Sequence, residues 1–241
     1  MLALGLDSST NVAGVAVIND DNVLAEFFLN TGKTHSQRLL PLLSEMMNFS
    51  DLKLQDLDVF AVTSGPGSFT GLRIGMTTMK TLAQVTGKPL VGVPTLDALA
   101  MNLTNKAGLV CPILNARKNE VYTAVYRWES NSYLNRLTDY MAVSPAELID
   151  KLKKFKDEKI IFLGDGVSVY KEYISERLGF RASWAVSTHL LPRASQAAYL
   201  GMNLFKQGMA VDNLHDFQPL YIRPSEAEVR LAERQRRDGS C

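Results

Sequence analysis

Gly65-Pro66-Gly67-Ser68-Phe69-Thr70-Gly71-Leu72-Arg73-Ile74-Gly75 is the stretch from which the fold is read. It leaves an apolar run at residues 59–63 and opens a helical pattern that runs to about Thr86, where Gly87-Lys88-Pro89 is a stop signal. Glycines here let the backbone turn tightly and turn several N–H groups toward one point. The helix N-terminus adds partial positive charge. Two readings follow: an anion cradle built on Gly65, Gly67 and Ser68, or a tight strand-to-helix connection without a ligand. A P-loop is excluded, because no Gly-Lys-Ser/Thr follows at the required spacing. Gly71 and Gly75 lie four apart, on one helix face, and allow close approach of another backbone, within the chain or between chains.

Upstream, residues 2–7, 12–18 and 23–29 are short apolar runs joined by polar turns, the pattern of an antiparallel meander. The apolar N-terminus has no basic leader and reads as a buried first strand, not a signal peptide. Thr34 is placed to cap a helix reaching about Asn48, with Leu39, Leu42, Leu43 and Met46 at helical spacing and a kink or break expected at Pro41. Downstream, residues 90–93 read as a strand and 95–103 as a short helix. The second half then gives strands at 109–116, 121–128 and 133–143, a helix from Pro145 to about Phe155 with a capping box at Ser144 and Glu147, a strand at 159–163, a helix at 167–178, a strand at 181–186 and a last helix at 195–207.

Both halves therefore run strand-strand-strand-helix-strand-helix. Two such units side by side describe a duplicated two-lobe α/β fold with mixed sheets and a central cleft. The expected lobes are residues 1–104, joined by the helix near 195–207, and residues 105–194. Residues 225–241, with four acids against four arginines, read as a polar tail that stays disordered until a partner orders it.

Composition narrows the function. The hydrophobic share is 46% and the charged share 21%, which excludes a disordered or collagen-like chain. No apolar run reaches the ~18 residues of a membrane span. A net charge of +1 gives no footprint for strong independent RNA or DNA binding, though it leaves room for a local basic patch. Cys111 and Cys241 form no CxxC site, and His35, His189 and His215 are scattered, so no metal is expected. The compartment expected is the cytoplasm.

Candidate site residues fall in two groups. Asp7-Ser8-Ser9-Thr10 closes the first strand, where an Asp orients a metal-bound water or phosphate and hydroxyls bond phosphate oxygens, or where the same residues form an ordinary Asx turn. His35 lacks a metal partner one turn on, since position 39 is Leu. The apolar positions of the first helix (Leu39, Leu40, Leu42, Leu43, Met46, Met47) cover more than one stripe, and the second helix offers Met76, Met79, Leu82 and Val85. They are either a fully internal core or a partner interface.

These segments, in this order, resemble the TsaB (YeaZ) family of bacterial tRNA-modification proteins. The likeness is carried by Asp7-Ser8-Ser9-Thr10, by His35-Ser36 with Leu39-Leu40-Pro41, by the run from Gly65 to Gly75, by Ala116-Arg117 with Glu120-Val121-Tyr122, and by Pro219 with Tyr221-Ile222-Arg223. Ser8 stands where the family more often has Thr. The resemblance implies the ASKHA fold (actin-like ATPase, ribonuclease H-like). It also implies a role in threonylcarbamoylation of the adenosine beside the anticodon in tRNAs reading codons that start with A. In that pathway the metal-bearing paralogue TsaD transfers the group and the ATPase TsaE joins it, while TsaB is a non-catalytic partner that also self-associates through a helical surface. The paralogue's HxxxH pair is broken here at Leu39, and the glycine two residues after the phosphate-turn Asp is replaced by Ser9. The expectation is a scaffold with no catalytic residues and no cofactor of its own, ATP or ADP entering only at a complex interface and tRNA only through the complex. The expected interface is His35, Leu39, Leu42, Leu43, Met46, Gly71, Gly75, Met76 and Met79, with Asp7, Ser8, Ser9, Gly65, Gly67 and Ser68 a vestigial phosphate loop. The competing readings are an ASKHA ATPase or phosphotransferase acting on its own, and a metallopeptidase.

Overall fold

A computed structural model describes residues 1–31, 34–104, 106–130 and 133–223. The first sheet holds β1 (Ala3–Asp7), β2 (Ala13–Ile18), β3 (Val23–Leu29), β4 (Val59–Gly65) and β5 (Leu90–Pro94), in the order β3-β2-β1-β4-β5. The first three strands are antiparallel neighbours, and β4 and β5 join in parallel. Parallel strands need a crossover. Helices α1 (His35–Phe49) and α2 (Phe69–Thr86) supply it.

The second sheet repeats this order with β10 (Met141–Val143), β7 (Glu120–Thr123), β6 (Leu109–Arg117), β11 (Ile160–Leu163) and β12 (Ala182–Trp184). Helices α4 (Pro145–Leu152) and α5 (Val167–Leu178) occupy the places of α1 and α2. Strand for strand, the parallel and antiparallel pairings match those of the first half. The added hairpin is β8 (Tyr126–Ser130) with β9 (Tyr133–Arg136).

That hairpin corrects the three long strands expected in the second half. The run through 121–128 breaks because Val125 leaves the ladder: its N–H goes to the Thr138 hydroxyl at 3.0 Å, and its carbonyl accepts from Leu137 at 2.7 Å. The run through 133–143 breaks at the same crossing. Three helix expectations also shift. Thr34 holds the N-cap position of α1 without a side-chain cap, and the helix runs unbroken through Pro41. Helix α4 ends at Leu152 instead of near Phe155, because tight three-residue turns follow it. The short helix α3 (Thr95–Ala100) is followed by a 3-10 turn.

Side-chain alternation sets the layers. Leu4 and Leu6 of β1 and Phe60 and Val62 of β4 face α1 and α2, while Ala3 and Ala61 face the other way, onto Ala197, Ala198 and Met202 of α6 (Ala194–Lys206). The last helix thus returns to the first sheet. Conversely, Leu96, Leu99 and Ala100 of α3 lie under the second sheet, against Val110, Leu114 and Leu163. Each half lends a helix to the other. The expected tail at 225–241 lies outside the described residues.

Candidate functional site

The halves meet at a cleft of about 650 Å³. Two chain reversals made equivalent by the duplication line it: Ser9, Thr10 and Asn11 between β1 and β2, and Asn115 to Lys118 where β6 turns into β7. Two helix starts face it as well, Ser68-Phe69-Thr70 at α2 and Asp165 ahead of α5.

The first turn is packed shut against the glycine loop. The Ser68 N–H donates to the Ser9 carbonyl at 2.6 Å, and the Ser8 hydroxyl donates to the Gly71 carbonyl at 2.9 Å. A Cβ on Gly67 would stand 2.3 Å from the Ser9 oxygen, and one on Gly71 would stand 2.1 Å from the Ser8 oxygen. The glycines are required because backbone lies on backbone. Gly65, at φ +120°, meets the Leu220 carbonyl instead. Of the six residues expected in a phosphate loop, Ser9, Gly67 and Ser68 line the cleft, whereas Asp7, Ser8 and Gly65 lie behind it.

Asp7 is fully buried and accepts from the Ser9 N–H at 3.2 Å and the Ser9 hydroxyl at 3.1 Å. Burial pushes its carboxyl up to about 6, against the pull of those Ser9 hydrogen bonds. His35 Nε2 sits 2.7 Å from the Thr10 carbonyl and ties the start of α1 to the same turn. One helical turn on, Leu39 is in the core.

The expected interface set changes. Leu39, Leu43, Met46, Met76 and Met79 are all buried within this chain, in one cluster with Leu4, Leu6, Phe60 and Val62. Gly71 and Gly75 are also buried, and a Cβ on Gly75 would reach the Ser8 hydroxyl at 2.2 Å. Seven of the nine residues therefore form the internal packing of the first lobe. Leu42 and His35 are half-buried. The outward residues of the two helices include Gln37, Leu40, Pro41, Ser44, Glu45 and Phe49 of α1, and Arg73, Thr77, Thr81 and Val85 of α2.

The second turn is built differently. Arg117, Lys118 and Asn119 hold positive φ values of +62°, +50° and +59° in succession, and Asn115 steadies the turn by accepting from the Arg117 N–H at 3.0 Å. Such a left-handed run is costly for residues with a Cβ. Asp165 accepts from the Asn115 N–H at 2.9 Å, and burial raises its carboxyl. The C-terminal segment then crosses the cleft. The Leu220 N–H donates to the Ser64 carbonyl at 2.7 Å. Tyr221 stacks on Phe69, with 5.2 Å between centroids, and its hydroxyl accepts from Arg73 Nε at 3.1 Å. Arg223 pairs with Glu120 and donates to the Ala116 carbonyl.

Tyr122, Asp165, Tyr221 and Arg223 were absent from the expected site. The signal for Asp165 was present: Gly164-Asp165-Gly166 holds, in the second half, the strand-to-helix place of the Gly65 loop. His189 and His215 make separate local contacts, and Cys111 is buried beside Thr123, its thiol pushed up to about 12 by desolvation. Among the described residues no three His, Cys, Asp or Glu side chains are grouped to hold a metal, and no helix is long and apolar enough to cross a membrane.

Sequence comparison gives a protein of Bacillus subtilis named tRNA threonylcarbamoyladenosine biosynthesis protein TsaB, 36% identical over 98% of this chain and 100% of that protein. The chain belongs to the TsaB family. The family model described as TsaD: tRNA N6-adenosine threonylcarbamoyltransferase matches residues 22–231, so the chain also carries the domain of that transferase. The solved structure titled YeaZ from Pseudomonas aeruginosa superposes with a TM-score of 0.75 at 25% identity, covering 92% of this chain and 99% of that one. A polyphosphate/ATP-glucomannokinase from Arthrobacter matches at a TM-score of 0.51 and 13% identity, over 86% of this chain and 99% of that one, and shares the fold alone. The TsaB-family chain has the ASKHA fold, with its two mixed sheets in matching order.

Proposed function

We propose that this chain is a non-catalytic subunit of the cytoplasmic machinery that threonylcarbamoylates the adenosine beside the anticodon in tRNAs reading codons that start with A. It binds and supports the transferase TsaD, works with the ATPase TsaE, and meets tRNA within that assembly. The observation that carries this reading is the sealed first turn. Ser9 lies on Gly67 and Ser8 on Gly71, so the pair of elements that would grip a phosphate is used as packing. A lobe closed in this way is a rigid platform.

The surface offered to TsaD is the outer side of α1 and α2, centred on Leu40, which is 56% exposed, with Arg73 and Thr77 exposed on α2. A second copy of the chain takes the same face when TsaD is absent.

The test is a drop-out reconstitution with the adenylate-forming enzyme, TsaD, TsaE, threonine, bicarbonate, ATP and unmodified tRNA, with and without this chain. Modified nucleoside is counted by mass spectrometry. Modification that depends on the chain is the expected result. Full modification without it overturns the reading, and calorimetric titration of the chain with Mg-ATP then tests the phosphotransferase alternative.

A further inference from the structure

The charge of the molecule is unevenly divided. Residues 1–104 carry six Lys and Arg against nine Asp and Glu, and residues 105–194 carry fourteen against ten. The excess collects at the end of α4 and in the turn that follows it, where Lys151, Lys153, Lys154, Lys156 and Lys159 fall within nine residues. All five are exposed. Only Lys153 makes an ion pair among the described residues, with Asp150 at 2.6 Å. Of the nearby acids, Glu158 is already taken by Arg127 at 2.6 Å, and Asp157 is left to oppose the lysines.

This turn is held in shape from within. The half-buried Arg181 donates from Nε to the Glu158 carbonyl and from Nη2 to the carbonyls of Leu152 and Phe155. One guanidinium thus collects three carbonyls of the turn, and Phe180 is the residue before that anchor in the chain. Phe180 is 83% exposed, the highest value among the large apolar side chains. Two further cation–ring contacts mark the same face, Arg177 over Tyr173 at 3.5 Å and Lys154 over Phe155 at 4.9 Å.

Lysines left unpaired on a rigid turn suit a row of phosphates. An aromatic ring left in water one residue from the anchor of that turn suits the face of an unpaired base, because base–aromatic stacking is available to single-stranded RNA and not to a paired duplex. We infer that the turn after α4, with Phe180, is an RNA contact: Lys154 and Lys156 meet phosphates and Phe180 stacks on an unpaired base. That the RNA is the tRNA substrate rests on the function proposed above. The contact leaves the α1–α2 face of the other lobe to the transferase. A near-neutral chain binds RNA weakly through it alone, and the contact gains force when a partner holds the same tRNA.

The test uses the full chain by itself, so that it does not depend on the partner assignment. Binding of fluorescently labelled unmodified tRNA is followed by anisotropy from about 20 to about 150 mM salt. The pair Lys154→Gln and Lys156→Gln is expected to weaken binding and to lower the slope of log affinity against log salt by about 2, one per phosphate contact. Phe180→Ala is expected to weaken binding about tenfold with the slope unchanged. The pair Lys53→Gln and Lys88→Gln in the first lobe removes the same charge and is expected to leave the slope as it is. No tRNA binding at the lowest salt overturns the proposal, as does an equal loss from the first-lobe pair. Loss of binding to phosphatidylserine vesicles in the Lys154 and Lys156 variant, with tRNA binding intact, also overturns it and assigns the turn to a membrane. A chain that binds tRNA through these lysines yet is dispensable in the drop-out reconstitution would sink the function and spare the contact.

Discussion

A carboxyl group with no exposed surface, as at Asp7, is easier to keep protonated than ionised. Its value rises from 3.8 to about 6 on folding, so the folded chain holds this proton more tightly than the unfolded chain. The contribution to stability is complete below about pH 4 and is lost as pH rises through about 6, amounting to about 3 kcal/mol. Asp7→Asn keeps an acceptor for the Ser9 N–H and cannot ionise. The stability difference between variant and wild type, from urea unfolding, should move by about 2 kcal/mol in favour of the variant between pH 4 and pH 7. A difference that stays flat over that range would mean that Asp7 is not desolvated. Gly67 tests the other half of the same contact. Its Cβ position is 2.3 Å from the Ser9 carbonyl, and backbone cannot swing aside as a side chain can. Gly67→Ala should destabilise by about 1–3 kcal/mol, the usual range for overpacking. Unaltered unfolding in this variant would mean that the Ser9 turn can give way and that the contact does not require glycine.

At the scale of the element, periodicity marks which helix positions are apolar and leaves open what covers them. The spacing of Leu39, Leu43 and Met46 was legible, and so was the helix. That their cover is Leu4, Leu6, Phe60 and Val62 of the same chain was not, because strand alternation and helix stripe meet only in three dimensions. The duplicated order was likewise readable from turns and runs, whereas the β8–β9 hairpin begins where Val125 leaves the ladder for Thr138 and Leu137, a contact between residues twelve and more apart. The cleft was half legible: the Gly65 loop and the Asp7 turn were readable as local motifs, but Tyr221 and Arg223 reach it only because the chain end crosses between lobes. This difference sets a prediction for α1. Leu40→Glu places a charge on an exposed side chain and should abolish co-elution with TsaD while the melting temperature stays within a degree or two. Met46→Glu buries an unpaired charge and should unfold the first lobe, with loss of far-ultraviolet ellipticity. Equal effects on folding from the two variants would contradict the assignment of inner and outer faces.

Across the whole molecule, α3 packs on β4, β5 and α6 on one side and on β6 on the other, so parting the sheets would strip α3 from one half, exposing Leu96 and Leu99 or Ala98. The chain end adds a clasp on the side where the cleft opens. Tyr221 grips the start of α2 through Phe69 and Arg73, and Arg223 grips the second turn through Glu120 and the Ala116 carbonyl. That second grip bears directly on the left-handed run at Arg117, Lys118 and Asn119, a conformation that persists only where its surroundings hold it. Arg223→Ala removes a half-buried charged donor from two acceptors at once, a loss of about 2 kcal/mol. It should lower the melting temperature by about 4–8 °C in a chain of this size. Hydrogen exchange should then quicken at residues 115–123 and at residues 67–73, because one strap ties both. Tyr221→Ala should free the α2 start first. Quickening confined to residues 115–123 in the Arg223 variant would mean that each lobe keeps its own geometry and that the segment is a cover, not a clasp.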